Sequence, residues 1–419
     1  MHRRLALSLL VLALAGTAAA DSLRATPAPA AEPGESVLAL VGRWGSPASE
    51  LVALDALSLR PVSRRVPVGL FDVPQAFSPD GATLALGSGR RDGLRLVDLR
   101  RMRVAGDVSV GGAVAALSWP RPDRLLAVVS AGRDFRLLVI DPATLRRLAE
   151  RRLRRSSLVA VGLTRDALVL LLGPLDAIGP TRLAVFDASG RLRSVTLARI
   201  RSGWEPPGPG VQPRIVRART PALAVDPGVG RAFVLPAGGP AAVVDLATLR
   251  VRYRPLPERR LADGGNALSE ASYRRAAWLG DGLVAVTGED DRLEPAPHVG
   301  PLQRTRPAGL VVLDTRAWTA RTISPRAQWF WPAPGLLFVP NERGRVAAYG
   351  LDGVVRFRLP ARAGGDVRAV GGLAWVGGES EYRRHFVAVV DLATGRVLAR
   401  PLVPGWTSIV VPGERFSWT

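Results

Sequence analysis

Cysteine is absent from the 419 residues. Disulfides, thiolate metal ligands and a lipid-modified N-terminal cysteine are therefore excluded together, and packing and hydrogen bonding must hold the chain. Lysine is absent as well, so all 57 basic residues are arginine, set against 36 acidic ones for a formal charge of +21. Of three histidines, only His298 and His385 lie beyond the first few residues. No zinc-binding His pair, nucleophile elbow or phosphate loop can be assembled. Long apolar runs are lacking too. The stretch from Leu5 to Ala15 is shorter than the roughly 20 residues a spanning helix needs, and Pro, Gly or Arg interrupts every later run.

What is present at the start is Met1-His2-Arg3-Arg4, that apolar stretch, and small residues ending Ala18-Ala19-Ala20. This is the layout of a secretory signal peptide. The expected organisation is a signal peptide over 1–20, a flexible segment over 21–36, and a folded unit over 37–419 that works in the periplasm or outside the cell. Export turns the positive charge away from nucleic acid. An all-arginine basic set matches a GC-rich coding sequence, and it also matches attraction to anionic wall polymers, lipid head groups or acidic glycans, which salt would screen.

Internal periodicity is the strongest signal. An apolar strand, an Asp and a turn recur at Asp55, Asp98, Asp141, Asp187, Asp245, Asp314, Asp352 and Asp391, spaced 43, 43, 46, 58, 69, 38 and 39 residues apart. Asp141-Pro-Ala-Thr144 and Asp391-Leu-Ala-Thr-Gly395 show the turn chemistry: an Asp side chain accepts from backbone two residues on, and Gly tolerates the left-handed position. These Asp residues read as hairpin locks and not as catalytic acids. A second phrase, such as Ser78-Pro-Asp-Gly81 before Thr83–Gly87, leads into a further apolar strand. Adding the flanking strands gives four per unit, and units of about 40 to 50 residues with four short strands are what radial propellers show.

The phrases Phe77-Ser-Pro-Asp-Gly81 and Val389-Val-Asp-Leu-Ala-Thr-Gly-Arg396 resemble the turn and hairpin signatures of exported bacterial propellers of the YVTN and TolB-like (WD40-like) kind. The expected fold is all-β: a single β-propeller of four-stranded blades, eight in number, or seven if the weak hairpin near Gly350 merges with a neighbour. Closure by both termini is expected. The first unit begins with its second strand, Val37–Val41, continues through Leu51–Asp55 to an outer strand near Val62–Val66, and lacks a first strand that Thr407–Val411 would supply. Such a seal removes a free sheet edge.

The long insertions all fall in loops that a propeller presents on one face: 199–220, 258–272, 288–308 and 378–384. That face is the expected binding face. On it, Glu289, Asp290, Asp291, Glu294 and His298 form the densest set of oxygen and nitrogen donors. Clustered carboxylates suit calcium, but the spacing matches no calcium loop and Pro295 and Pro297 stiffen the segment, so an acidic solvated loop without a cofactor is expected. Glu379, Glu381 and His385 form a second polar group, and Trp204 in a Pro/Gly-rich stretch could stack on a sugar or a proline. Trp278, Trp329, Trp331 and Trp375 read as packing between blades. The chain reads as a monomeric, non-catalytic scaffold that binds a protein or an anionic envelope polymer. A lactonase-like or quinone-dependent propeller enzyme is the alternative.

Overall fold

The apolar runs do become strands, and they assemble into eight separate sheets. The structure is a computed structural model that describes residues 36–42, 49–69, 74–87, 93–175, 177–205, 217–236, 238–257, 273–294, 302–341, 343–362, 366–379, 385–403 and 406–410. Every strand pairing is antiparallel except one isolated parallel bridge, Thr220 to Tyr273. That bridge joins the beginnings of the first strands of two neighbouring sheets, so first strands lie innermost and later ones run outward. The architecture is an eight-bladed β-propeller.

Blade 1 is built from Ser36–Gly42, Ser49–Asp55 and Val66–Gly69, with Trp406–Val410 as its innermost strand. The C-terminal strand pairs Leu38 with Val410 and Gly42 with Trp406. Termini therefore close the ring as the sequence predicts, although Val411 lies outside the described residues. The outer strand of this blade begins at Val66 and not at Val62, which is 59% exposed. Leu54 bridges to Pro61 instead, lengthening the turn before the outer strand. The hairpin around Gly350 belongs to a blade of its own, Trp331–Ala333, Leu336–Pro340, Arg345–Gly350 and Val355–Arg362, which settles the count at eight.

The core is divided among the blade junctions. Eight clusters of buried apolar side chains form, and each is shared by two successive blades around the ring. In blade 3, Leu137 and Val139 face blade 4 while Leu138 and Ile140 face blade 2. Both faces of a strand are thus buried, so these strands read as continuous apolar runs instead of alternating ones.

The repeated Asp residues sit at the turn between the third and fourth strands. Asp245 accepts from the Thr248 hydroxyl and amide, both at 2.8 Å, and Asp391 accepts from Thr394 in the same way at 2.7 Å. Asp55, Asp98, Asp141, Asp187, Asp314 and Asp352 accept from turn amides likewise. For Asp245 and Asp391 the hydroxyl and then the amide stabilise the charged form and hold the carboxyl below its ordinary value.

Glycine is not the rule at the left-handed position of these turns. Four residues after the Asp, the left-handed position holds Leu59, Met102, Leu145, Leu249 and Trp318 in five blades, and glycine there only at Gly395. Each of these bulky side chains packs into the core shared with the preceding blade. Burial there offsets the roughly 1–2 kcal/mol that a left-handed backbone costs a side chain.

Candidate functional site

Two blades continue past the disc. In blade 4 the outer strand Leu192–Glu205 outruns its neighbours and turns back as a fifth strand, Arg217–Arg219. In blade 6 the second strand, Leu283–Glu294, does the same and pairs with Leu302–Pro307 as an extra hairpin. Second and fourth strands run in the same direction along a blade. Both arms therefore leave the disc on one face, and blade 5 lies between them.

Buried hydroxyls tie each arm at its root. In blade 4 the Thr181 hydroxyl donates to Ser202 Oγ at 2.9 Å, with both residues fully buried. Gly203 then passes so close to the Ala177 carbonyl that a Cβ would lie 2.0 Å from its oxygen, at a φ of 112°. Only glycine fits. In blade 6 the fully buried Thr287 donates to the carbonyl oxygens of Gly309 and Ala327 at 2.9 and 3.1 Å, linking the arm to blade 7.

The residues singled out in the sequence divide between these places. Trp204 is on the blade 4 arm, opposite Ala218 and 37% exposed. Glu289, Asp290, Asp291 and Glu294 are not in a loop: they lie along the strand of the blade 6 hairpin, opposite Pro307, Arg306, Thr305 and Leu302. The Glu289 carboxylate is 3.0 Å from Arg275 Nη1. His298 and Glu381 lie outside the described residues. Glu379 and His385 are backbone partners across the hairpin between the second and third strands of blade 8. Blade 7 separates them from the Glu289 row. Among the described residues, no group of three or more His, Asp and Glu side chains is placed to hold a metal ion.

Arg275 was not among the residues singled out. It stands on the inner strand of blade 6, donates to Glu289 and to the Gln328 carbonyl oxygen at 3.2 Å, and places its guanidinium 3.8 Å from the Trp329 ring centre. It thereby joins the root of the arm to blade 7. A visible signal was the Arg274-Arg275 pair opening the otherwise apolar strand Tyr273–Gly280. Trp329 itself precedes the inner strand of blade 7, which starts at Trp331, and so packs from a connection. On the other arm, the Arg199 guanidinium lies 5.3 Å from the Tyr253 ring centre, tying it to blade 5. Arginine–aromatic stacking thus recurs at both arms.

No protein-family model and no curated protein matches the sequence. Solved structures of similar shape do. The likeness is to the propeller fold.

Dihydro-heme d1 dehydrogenase NirN in complex with DHE aligns with TM-score 0.60 and 15% identity, over 92% of this chain and 77% of that chain. Apo AztD from Citrobacter koseri aligns with TM-score 0.55 and 12% identity, over 89% and 96%. The computationally designed Ika8 protein aligns with TM-score 0.51 and 14% identity, over 84% and 96%. One of these neighbours is an enzyme by name and one is a design, so shared shape leaves the function of this propeller to its own residues.

Proposed function

We propose that this propeller is a non-catalytic binding scaffold that works outside the cytoplasm and grips a protein partner through the face bearing the two arms. The observation that carries the reading is the pair of strand extensions rising on the same face on either side of blade 5. Both are anchored at their roots by buried hydroxyls, so they are built features of the blades. Among the described residues each ends in a strand, Arg217–Arg219 or Leu302–Pro307, paired on one side, an edge suited to β-augmentation, and Trp204 supplies an aromatic anchor of the kind that dominates protein interfaces. The blade 6 arm carries acidic and basic residues in register, Asp290 opposite Arg306 and Arg292 opposite Arg304, a pattern that selects a partner by charge.

The test is a cross-linked pull-down from envelope extract with the parent protein and a version in which 204–218 and 290–306 are each replaced by a short Gly-Ser turn. Both proteins are first matched by thermal melting. Loss of the captured partner from the shortened version is the expected result. Identical partner lists from the two proteins overturn the proposal.

A further inference from the structure

Away from the arms, the rim of blade 3 carries a concentration of charge that no other blade shows. Residues 146–155 read Arg-Arg-Leu-Ala-Glu-Arg-Arg-Leu-Arg-Arg, six arginines and one glutamate in ten positions. The outer strands of blades 1 and 8, Val66–Gly69 and Val397–Ala399, contain none, that of blade 2, Arg103–Ser109, contains one, and those of blades 5 and 7, Val251–Arg254 and Val355–Arg362, contain two and three. Coding bias spreads arginine along a chain. It does not gather it on one edge strand.

Geometry decides which of these charges are free. Arg146–Leu153 is the outermost strand of its sheet and pairs only with Asp134–Asp141. A register shift between Val139 and Ile140 leaves Leu148 without a partner and 47% exposed. Arg147 turns toward blade 2, where it donates to the Ser109 carbonyl oxygen at 2.7 Å and lies 3.7 Å from Glu150. Glu150 is also 4.0 Å from Arg136, and Arg152 is 3.8 Å from Asp134. The local acids are thereby engaged. Arg146, Arg151, Arg154 and Arg155 are exposed, and among the described residues none has a carboxylate within ion-pair distance; Arg151 donates only to the Glu150 carbonyl oxygen. Their backbone is nonetheless fixed. The Arg155 amide donates to Asp134 Oδ1 at 3.1 Å, holding that residue at a φ of 45°.

We propose that this rim is a binding strip for a linear polyanion, an extended polymer bearing phosphate or carboxylate groups. Two of the four unpaired guanidiniums, Arg146 and Arg151, stand on an ordered strand about 26 Å long, at roughly 3.3 Å per residue, and the other two, Arg154 and Arg155, on the turn that follows it. Arginine recognises both anions through paired donors, and an anion lying along a row of like charges relieves their mutual repulsion. An extended polymer matches the shape of a strand edge. A bilayer surface fits less well, because membrane-lying elements add an apolar face with aromatic residues, whereas this strand exposes Leu148 alone. The strip runs along the rim of blade 3, and its Arg154-Arg155 end lies in the turn into blade 4, on the face that bears the arms.

Binding of fluorescently labelled inorganic polyphosphate and of polyglutamate to the purified protein, at low and high salt, tests this. The rim variant combines Arg146→Ser, Arg151→Ser, Arg154→Ser and Arg155→Ser. A control of equal net charge combines Arg60→Ser, Arg64→Ser, Arg250→Ser and Arg326→Ser. The parent should bind at least one polymer, with affinity falling as salt rises, and the one preferred identifies the anion. The rim variant should lose at least tenfold while the control stays within twofold. If the rim variant melts below the parent, Arg151→Gln with Arg154→Gln is measured in its place and should lose about threefold. Equal losses in rim and control variants overturn the proposal. So does a parent that binds neither polymer, or that binds only phosphatidylglycerol vesicles.

Discussion

The indole Nε1 of Trp375 donates to the carbonyl oxygen of Ala56 at 2.9 Å, joining residues 319 apart in the chain. Trp375 lies on the second strand of blade 8 and is 1% exposed; Ala56 follows the third strand of blade 1. The bond crosses the junction at which the ring closes, alongside a core shared by Ile409, Val387 and Val52. Trp375→Phe should lower unfolding stability by about 1–2 kcal/mol, for the lost bond and a stranded carbonyl. Trp375→Ala should cost about 3–5 kcal/mol through the cavity. Chemical denaturation measures both, and a Trp375→Phe variant as stable as the parent would mean that the bond contributes nothing.

Two blade junctions solve the same packing problem in opposite ways. Leu145 at the blade 3 turn fills space over Gly106 on the outer strand of blade 2, where a Cβ would come within 2.8 Å of the leucine. At the blade 8 turn the equivalent residue is Gly395, and Phe357 on the outer strand of blade 7 fills the space instead, 2.2 Å from where a Cβ would sit. Gly395→Ala should therefore destabilise by at least about 2 kcal/mol. Adding Gly395→Leu to Phe357→Gly should recover part of the loss of Phe357→Gly alone, with a coupling of about 1 kcal/mol or more in a double-mutant cycle. Additive effects would refute the exchange.

The turn carboxylates and Asp366 should respond to pH with opposite sign. Asp245 and Asp391 have folded values below the ordinary 3.8, so their contribution is present above that pH and lost as pH falls through the folded value. Melting temperature should fall on acidification below about pH 4, and fall less for Asp245→Asn. For Asp366, burial raises the carboxyl despite the Arg368 guanidinium 2.5 Å away. A raised value favours the folded state below the ordinary value, and that contribution is lost as pH rises through the folded one. Relative to Asp366→Asn, the parent should lose stability as pH rises above 4. Parallel melting curves from pH 3 to 7 check both signs.

Arg275 offers a way to loosen one arm without deleting it. With Arg275→Ala, Glu289 and Trp329 lose their shared partner. Amide hydrogen exchange over Leu302–Pro307 and Leu283–Glu294 should quicken several-fold, while exchange in Thr83–Gly87 of blade 2 stays as in the parent. Unchanged exchange in the arm would show that Thr287 alone fixes it.

The sequence by itself determined the repeat, the strand and turn order, and the role of the eight Asp residues. Those signals are local: an Asp side chain reaches amides two or three residues on, and a short Val- and Leu-rich run between turn residues needs no distant information. Closure was legible as well, because blade 1 lacked one strand and Thr407–Val411 was left over, and the pairing found runs over Trp406–Val410. Tertiary structure decided what depends on a neighbouring blade. A leucine at a left-handed position is acceptable only because Gly106 leaves room for it one blade away. The row from Glu289 to Glu294 became a strand, against its acidic composition, because Leu302–Pro307 pairs with it. Arg275 became an anchor because Trp329 arrives from the connection that leads into the next blade. Such contacts join residues tens of positions apart, and only the assembled ring brings their surfaces together.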